Sequence, residues 1–148
     1  MAAAPMISMA AAIAGLNALL AKLNVGGTAG SIKIYTGAAP ASLAATETGT
    51  LLSSGCLLST TAFPTAVDPG SNGLATATAN AISTDASAAA GGTAGHFRAF
   101  DSTGVAVVQG TCGTSAADLI MATTTIVIAQ PVTILSWIVT LPDGSGVD

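Results

Sequence analysis

The fold of this chain is decided at the stretch GSIKIYTG, residues 30–37, where the spacing of apolar residues changes from helical to extended. Ile32 and Ile34 alternate with more polar side chains, so they fall on one face of a half-buried strand. Lys33 and Tyr35 fall on the opposite face. The stretch therefore predicts that the chain beyond residue 30 is built from β-strands.

Further short extended runs, separated by turn residues, follow along the rest of the chain. Regular spacing of this kind predicts a mainly β fold, with an antiparallel β-sandwich or a jelly-roll-like body. Between two of the runs, residues 101–104 have the small polar side chains and the glycine of a hairpin turn. The predicted strands cover residues 31–36, 50–53, 56–60, 74–78, 96–101, 105–110, 118–121, 124–128 and 132–141.

Before residue 30 the apolar spacing is helical and predicts one N-terminal amphipathic helix over residues 8–23. We divide the chain into an N-terminal helix or arm, residues 1–27, and a β domain, residues 28–148. Two arrangements are open, because the helix can pack on its own β domain or dock as an arm on a neighbouring subunit. The apolar stripe of this helix consists of Met9, Ile13, Leu16, Leu20 and Leu23.

Charge and composition exclude several classes of partner. The net charge is −4, and the basic residues Lys22, Lys33 and Arg98 are far apart in the sequence, so no nucleic acid is expected as a partner. The hydrophobic fraction of 51% depends heavily on alanine, and aromatic residues make up only 3%. Because so few large side chains are available for a core, we expect a homo-oligomer in which subunit contacts add stability.

The mean hydropathy of +0.72 is high, but no membrane partner is expected. The most apolar stretch, residues 124–141, is interrupted by Gln130 and Pro131 and alternates as a strand does. The apolar N-terminus lacks a basic start, which predicts synthesis in the cytoplasm without export. In a reducing cytoplasm, Cys56 and Cys112 are expected to stay unpaired.

Residues suited to catalysis are almost missing, so we expect no enzyme and predict no catalytic, cofactor-binding or metal-binding residues. The chain has a single histidine, His96. The sequence contains no Gly-x-Ser-x-Gly motif and no cysteine at a zinc-ligand spacing from this histidine. It is predicted to lie at a strand surface or an interface. Arg98 and Phe100 share its face, and Arg98 is predicted to anchor a loop or a partner. Trp137, in the most apolar strand, fits a core or an interface equally well.

The pentapeptide GGTAG occurs twice, at residues 26–30 and 91–95. Each copy precedes a predicted strand with a central basic residue, Lys33 or Arg98. Coincidence in a chain rich in these residues and duplication of a half-domain both explain the repeat. Neither copy leads into a helix, so neither is expected to cradle a phosphate.

Read in order, several short segments resemble small virion structural proteins of tailed bacteriophages and prophages. After the amphipathic helix these segments are KIYTG at 33–37, GTLL at 49–52, GTAGHFR at 92–98, and residues 113–119, and the last strand follows them. The resemblance implies a head decoration or cement protein on the outer head surface of the virion. Its implied partners are the major capsid protein and copies of itself. A tail, neck or fibre component and a cell-surface or carbohydrate-binding β module are the alternatives.

Overall fold

The computed structural model describes residues 5–70 and 73–143. In this part, one α-helix, α1 (Met9–Ala21), continues into a 3-10 turn (Lys22–Asn24), and eight strands follow. The predicted mainly β fold with one N-terminal helix is therefore confirmed. The strands are β1 (Ser31–Thr36), β2 (Leu51–Leu57), β3 (Leu74–Thr78), β4 (Gly92–Phe100), β5 (Ala106–Gly113), β6 (Leu119–Met121), β7 (Thr125–Ile126) and β8 (Ile134–Pro142).

The strands form one bent sheet in the order β2-β1-β4-β5-β6-β8-β3, and β7 pairs with the beginning of β4. All the pairs are antiparallel except the short parallel pair of β5 and β6. The bend brings β4 opposite β8. This arrangement is seen in the contact between Phe97 on β4 and Trp137 on β8, which meet edge to face with ring centroids 5.2 Å apart. Phe63 packs on the same indole at 4.9 Å. Trp137 thus lies at the centre of the core, the first of its two predicted locations.

Helix α1 packs on its own β domain, against β3 and β8. Ser8 caps its N-terminus by accepting a hydrogen bond from the Ala11 N–H at 3.2 Å. Leu16 and Leu20 are buried in the common core, so the helix covers one open side of the bent sheet. Asn17 lies outside the apolar stripe but is engaged as well, since its Oδ1 accepts from the Ala66 N–H at 2.7 Å.

Several predicted strand boundaries were wrong. β5 ends at Gly113 rather than at residue 110, and β7 is only Thr125–Ile126 within the predicted 124–128. The runs 50–53 and 56–60 are a single strand, β2, because its chain bulges: Ile32 pairs with Cys56, whereas Ile34 pairs with Ser53. β4 begins at Gly92 rather than at residue 96, because Gly92 pairs with β7. Most of the second GGTAG copy therefore lies inside a strand, whereas the first copy precedes one.

Candidate functional site

Side chains that could perform chemistry do not converge. No group of three or more His, Cys, Asp or Glu side chains that could hold a metal ion occurs in residues 5–70 and 73–143. Within the same residues, no helix is long and apolar enough to cross a membrane. The features that can carry function are a covering loop, the sheet edges and the exposed apolar side chains.

The loop between β1 and β2, residues 37–50, folds over the outer face of β4 and β5, and we call it the flap. Arg98 holds it through neutral acceptors: Nε donates to Gln109 Oε1 at 3.0 Å, and Nη2 donates to the carbonyls of Ser42 at 3.1 Å and Ala45 at 2.8 Å. Gln109 in turn donates to the Pro40 carbonyl at 2.7 Å. Arg98 is thus a loop anchor, as predicted, and it acts through hydrogen bonds.

His96 is buried beneath the flap, so its predicted location at a strand surface or an interface was wrong. Its Nδ1 lies 3.0 Å from the Gly37 carbonyl, and its ring stacks on Tyr35 with centroids 5.2 Å apart. The carbonyl can only accept, so Nδ1 is the donor of this hydrogen bond. Nε2 then has no hydrogen-bond partner among the described residues. The burial of His96 was not predicted, because the loop that covers it is distant along the chain.

Tyr35, which stacks on His96, is held in its protonated form. Burial raises the pKa of Tyr35 to about 12, and the nearby Glu47 carboxylate adds to the rise. The phenol therefore stays protonated. The contacts of His96 are the Gly37 carbonyl, on the first residue of the flap, and the Tyr35 ring. His96, through its hydrogen bond to Gly37, therefore helps Arg98 to hold the flap in place.

Asp101 forms the hairpin turn that the sequence predicted. Its Oδ1 accepts hydrogen bonds from the N–H of Thr103 at 2.9 Å, the hydroxyl of Thr103 at 2.7 Å and the N–H of Val105 at 2.9 Å. The Val105 N–H and the Thr103 hydroxyl lower the pKa of this carboxyl. Asp101 therefore stabilises the turn between β4 and β5.

The two cysteines are free in the structure. Cys56 is buried, and its Sγ lies 3.6 Å from the Val132 carbonyl oxygen and 3.7 Å from the Ser53 hydroxyl. Cys112 lies on β5, partly buried. Burial raises the pKa of the Cys112 thiol to about 12, with a further rise from the Asp118 carboxylate. Neither sulfur is an activated nucleophile.

The outer edges of β2 and β3 are covered. Residues 83–89 run along β2, with hydrogen bonds from the Ser83 N–H to the Leu57 carbonyl and from the Ala89 N–H to the Leu52 carbonyl. Asp85 completes this cover: its Oδ2 accepts from the Ser53 hydroxyl at 2.6 Å and from the Gly55 N–H at 3.0 Å. Along β3, Val67 and Thr76 exchange two backbone bonds. Covered edges prevent indiscriminate strand pairing.

An opening remains between β5 and β8, where the three-residue strand β6 fills only part of the space. We call this opening the slot. It is a cavity of about 160 Å³ lined by Phe97, Val108, Gln109, Asp118 and residues 137–140. The sequence analysis missed the slot because a strand that ends early leaves no local signal; Asp118 was placed at the start of a strand, and Gln109 inside one.

Large apolar side chains are exposed in the segment between β7 and β8 and on β8 itself. Four of them lie between residues 127 and 138, and each is at least 50% exposed: Val127, Ile128, Leu135 and Ile138. Exposed apolar side chains mark protein contact sites where they form a contiguous patch. Ile138 also lines the slot.

Comparisons of the chain with protein-family models, with curated proteins and with solved structures find no match.

Proposed function

We propose that this protein is a non-enzymatic virion structural protein of a tailed bacteriophage, a capsid decoration or cement protein that braces contacts between major capsid subunits on the outer head surface. The observation that carries the proposal is the contrast between its polar and apolar groups. Arg98, His96 and Asp85 are engaged in holding loops and edges. In contrast, four large apolar side chains are at least half exposed: Val127, Ile128, Leu135 and Ile138. Such a surface suits protein contact rather than chemistry.

A small contribution at each contact is sufficient for this role. Burying a few exposed aliphatic side chains contributes about 1–2 kcal/mol per site. When the same contact is repeated over a shell, the contributions act together, as in other multivalent systems. The low charge of the chain, three basic and seven acidic residues, limits repulsion between neighbouring copies.

A carbohydrate-binding module is disfavoured by the positions of the aromatic residues. All five aromatic side chains, Tyr35, Phe63, Phe97, Phe100 and Trp137, are buried, so none is free to stack on a sugar ring. A tail, neck or fibre component would have the same kind of surface and differs from a cement protein mainly in copy number.

The copy number in purified particles tests the proposal. Quantitative mass spectrometry against the major capsid protein should find hundreds of copies per particle for a cement protein, and a handful for a tail or fibre part. Particles lacking the protein should release DNA at a lower temperature, while adsorption to the host is unchanged. Absence of the protein from particles would refute every virion role, and normal thermal stability with lost adsorption would favour a cell-binding module.

A further inference from the structure

The slot has the shape of a missing strand. β6 lies between β5 and β8 only where Cys112 and Gly113 pair on one side and residues 134–137 pair on the other. Beyond β6, Val108 and Gln109 of β5 and residues 138–140 of β8 line the slot, with no strand between them in the part of the chain that the structure describes.

The backbone groups along both walls point into this position. The Thr111 N–H donates to Asp118 Oδ2 at 2.8 Å, which shows which side of β5 faces the slot; by alternation, the N–H and C=O of Gln109 face the same way. On β8, the Trp137 carbonyl accepts from the Ala79 N–H, on the β3 side. The N–H and C=O of Thr140 therefore face the slot. An extended peptide can pair with both walls.

The interior of the slot selects for an apolar side chain. Phe97 and Trp137 line it, together with Val108 and Val139. A strand that entered between the walls would direct alternate side chains inward, toward these residues. At about 160 Å³ the cavity has room for several waters, and an aliphatic side chain would displace them.

The rim of the slot selects for a basic residue. Asp118 is exposed and lines the slot; its Oδ2 accepts from the Thr111 N–H and hydroxyl, each at 2.8 Å, while its Oδ1 accepts no hydrogen bond from the described residues. A Lys or Arg on the entering strand can pair with this oxygen. The same carboxylate repels an acidic segment.

A second copy of this chain does not offer such a segment. Lys22 lies at the end of the helix, Lys33 lies 4.6 Å from the Phe100 ring centroid in a central strand, and Arg98 is buried under the flap. None of these three basic residues is on an exposed extended segment. With a net charge of −4, the chain is complementary to a basic partner rather than to itself.

We propose that the slot receives an extended segment of a different protein, with Lys or Arg next to aliphatic residues, which pairs as an added strand between β5 and β8. The proposal rests on the proposed function only for the identity of that protein, a subunit of the capsid. In the assembled shell the added strand would complete the sheet and fasten this protein to its neighbour.

A peptide titration of the full chain tests the slot. The probe is the blocked heptapeptide Thr-Val-Thr-Val-Lys-Val-Thr, and its twin has Glu in place of Lys. We expect amide shifts in the ¹⁵N spectrum centred on Gln109 and Thr140, and an affinity about two- to fivefold higher for the Lys peptide, the scale of one exposed ion pair. The Asp118→Asn variant should remove that preference. Absence of shifts at both amides with millimolar peptide would overturn the proposal.

Two variants and a matched control separate pairing in the slot from general surface contact. Ile138→Glu places a charge in the slot, and Thr140→Pro removes a slot-facing N–H while leaving the β3 side of β8 intact. Leu135→Glu is the control, because Leu135 is exposed on the same strand but does not line the slot. We expect both slot variants to lose peptide binding while the control retains it. Equal binding by all three, each folded by dichroism, would contradict the proposal.

Three further outcomes identify the occupant of the slot and show which of the two hypotheses fails. If sedimentation shows a dimer that Ile138→Glu dissociates, a second copy occupies the slot and our assignment is wrong. If particles contain the protein and incorporate the slot variants as well as the control, the slot assignment fails while the proposed function stands. If the peptide binds but particles lack the protein, the proposed function fails while the slot assignment stands.

Discussion

Lys33 on β1 and Arg98 on β4 lie directly opposite each other in the sheet, on the face turned away from Trp137. Like charges in cross-strand positions destabilise a sheet unless they are separated or engaged. Here the Lys33 ammonium lies 4.6 Å from the Phe100 ring centroid, while the Arg98 guanidinium reaches the carbonyls of the flap. The flap therefore serves as the hydrogen-bonding environment of a buried cation as well as a cover.

Replacing Arg98 with lysine should loosen the flap. Arg98→Lys cannot reproduce three directed hydrogen bonds, so we expect a loss of about 1–3 kcal/mol in the free energy of unfolding. Glu47 is the only glutamate of the chain and lies in the flap, so cleavage by a glutamate-specific protease reports on flap opening. Cleavage should be faster in Arg98→Lys and unchanged in the control Lys22→Gln. Equal rates in all three proteins would show that Arg98 does not hold the flap.

Removing the Asp85 carboxylate should destabilise the β2 edge. Asp85→Ala leaves the buried Ser53 hydroxyl and the Gly55 N–H without their acceptor, at an expected cost of about 1–3 kcal/mol. Asp68→Ala, which removes a bond to the exposed Gly70 N–H, is the control and should cost much less. Chemical denaturation of the two variants provides the comparison, and similar losses would argue against an edge role for Asp85.

The Asp85 contribution should also depend on pH. Burial raises the pKa of this carboxyl, but hydrogen bonds from Ser53, Ser87 and Gly55 together outweigh burial and bring the pKa below its ordinary value of 3.8. A lowered pKa in the folded state gives stability that is present above the unfolded value and lost as the pH falls through the folded one. The difference in unfolding free energy between the wild type and Asp85→Ala should therefore narrow below about pH 4. A difference that stayed constant down to pH 2 would contradict this assignment.

The contact between Phe97 and Trp137 in the core can be followed by fluorescence, because Trp137 is the only tryptophan of the sequence. Phe97→Leu should cost about 1–2 kcal/mol, from the lost edge-to-face contact and the imperfect filling of its site, and should alter Trp137 emission. Phe100→Leu removes a phenylalanine from the opposite face of β4 and should leave the emission unchanged. A change of emission in both variants would show that Trp137 reports on the whole sheet rather than on this contact.

The cysteines should be unpaired and slow to react. In unreduced, denatured protein we expect both thiols to titrate, whereas in native protein at pH 8 alkylation of Cys112 should be strongly suppressed, because its pKa is about 12. Asp118→Asn removes a negative charge beside the thiol, which lowers its pKa and should accelerate alkylation of Cys112. Peptide mapping measures Cys56 in the same sample, and its rate should not change.

Local periodicity was sufficient to predict the strands that have one buried face. β1 and β3 were predicted with the boundaries they have, because their alternation is complete within the segment. The prediction for β2 was wrong at Gly55, which looks like a turn in the sequence but is a bulge held from outside by Asp85. No local pattern at residues 50–60 contains that distant carboxylate.

The candidate site was less accessible to sequence reasoning than the fold. The shared face of His96 and Arg98 and the anchoring role of Arg98 follow from strand alternation, and both were predicted correctly. The burial of His96 depends on a loop more than forty residues away, whose composition predicts only an exposed connection. The slot depends on where β6 ends relative to β5 and β8, a relation between three segments that no single window contains.

The packing of α1 against β8 has a consequence for biosynthesis. The helix leaves the ribosome before the strands, but the surface that buries Leu16 and Leu20 includes β8, the last strand in the described sheet. A nascent chain must therefore carry an unsatisfied apolar helix until nearly all of the domain has been translated, and its core closes late through long-range pairing, which is intrinsically slow. Chaperone binding to the nascent domain should accordingly persist during synthesis, and it should fall sharply once β8 has emerged.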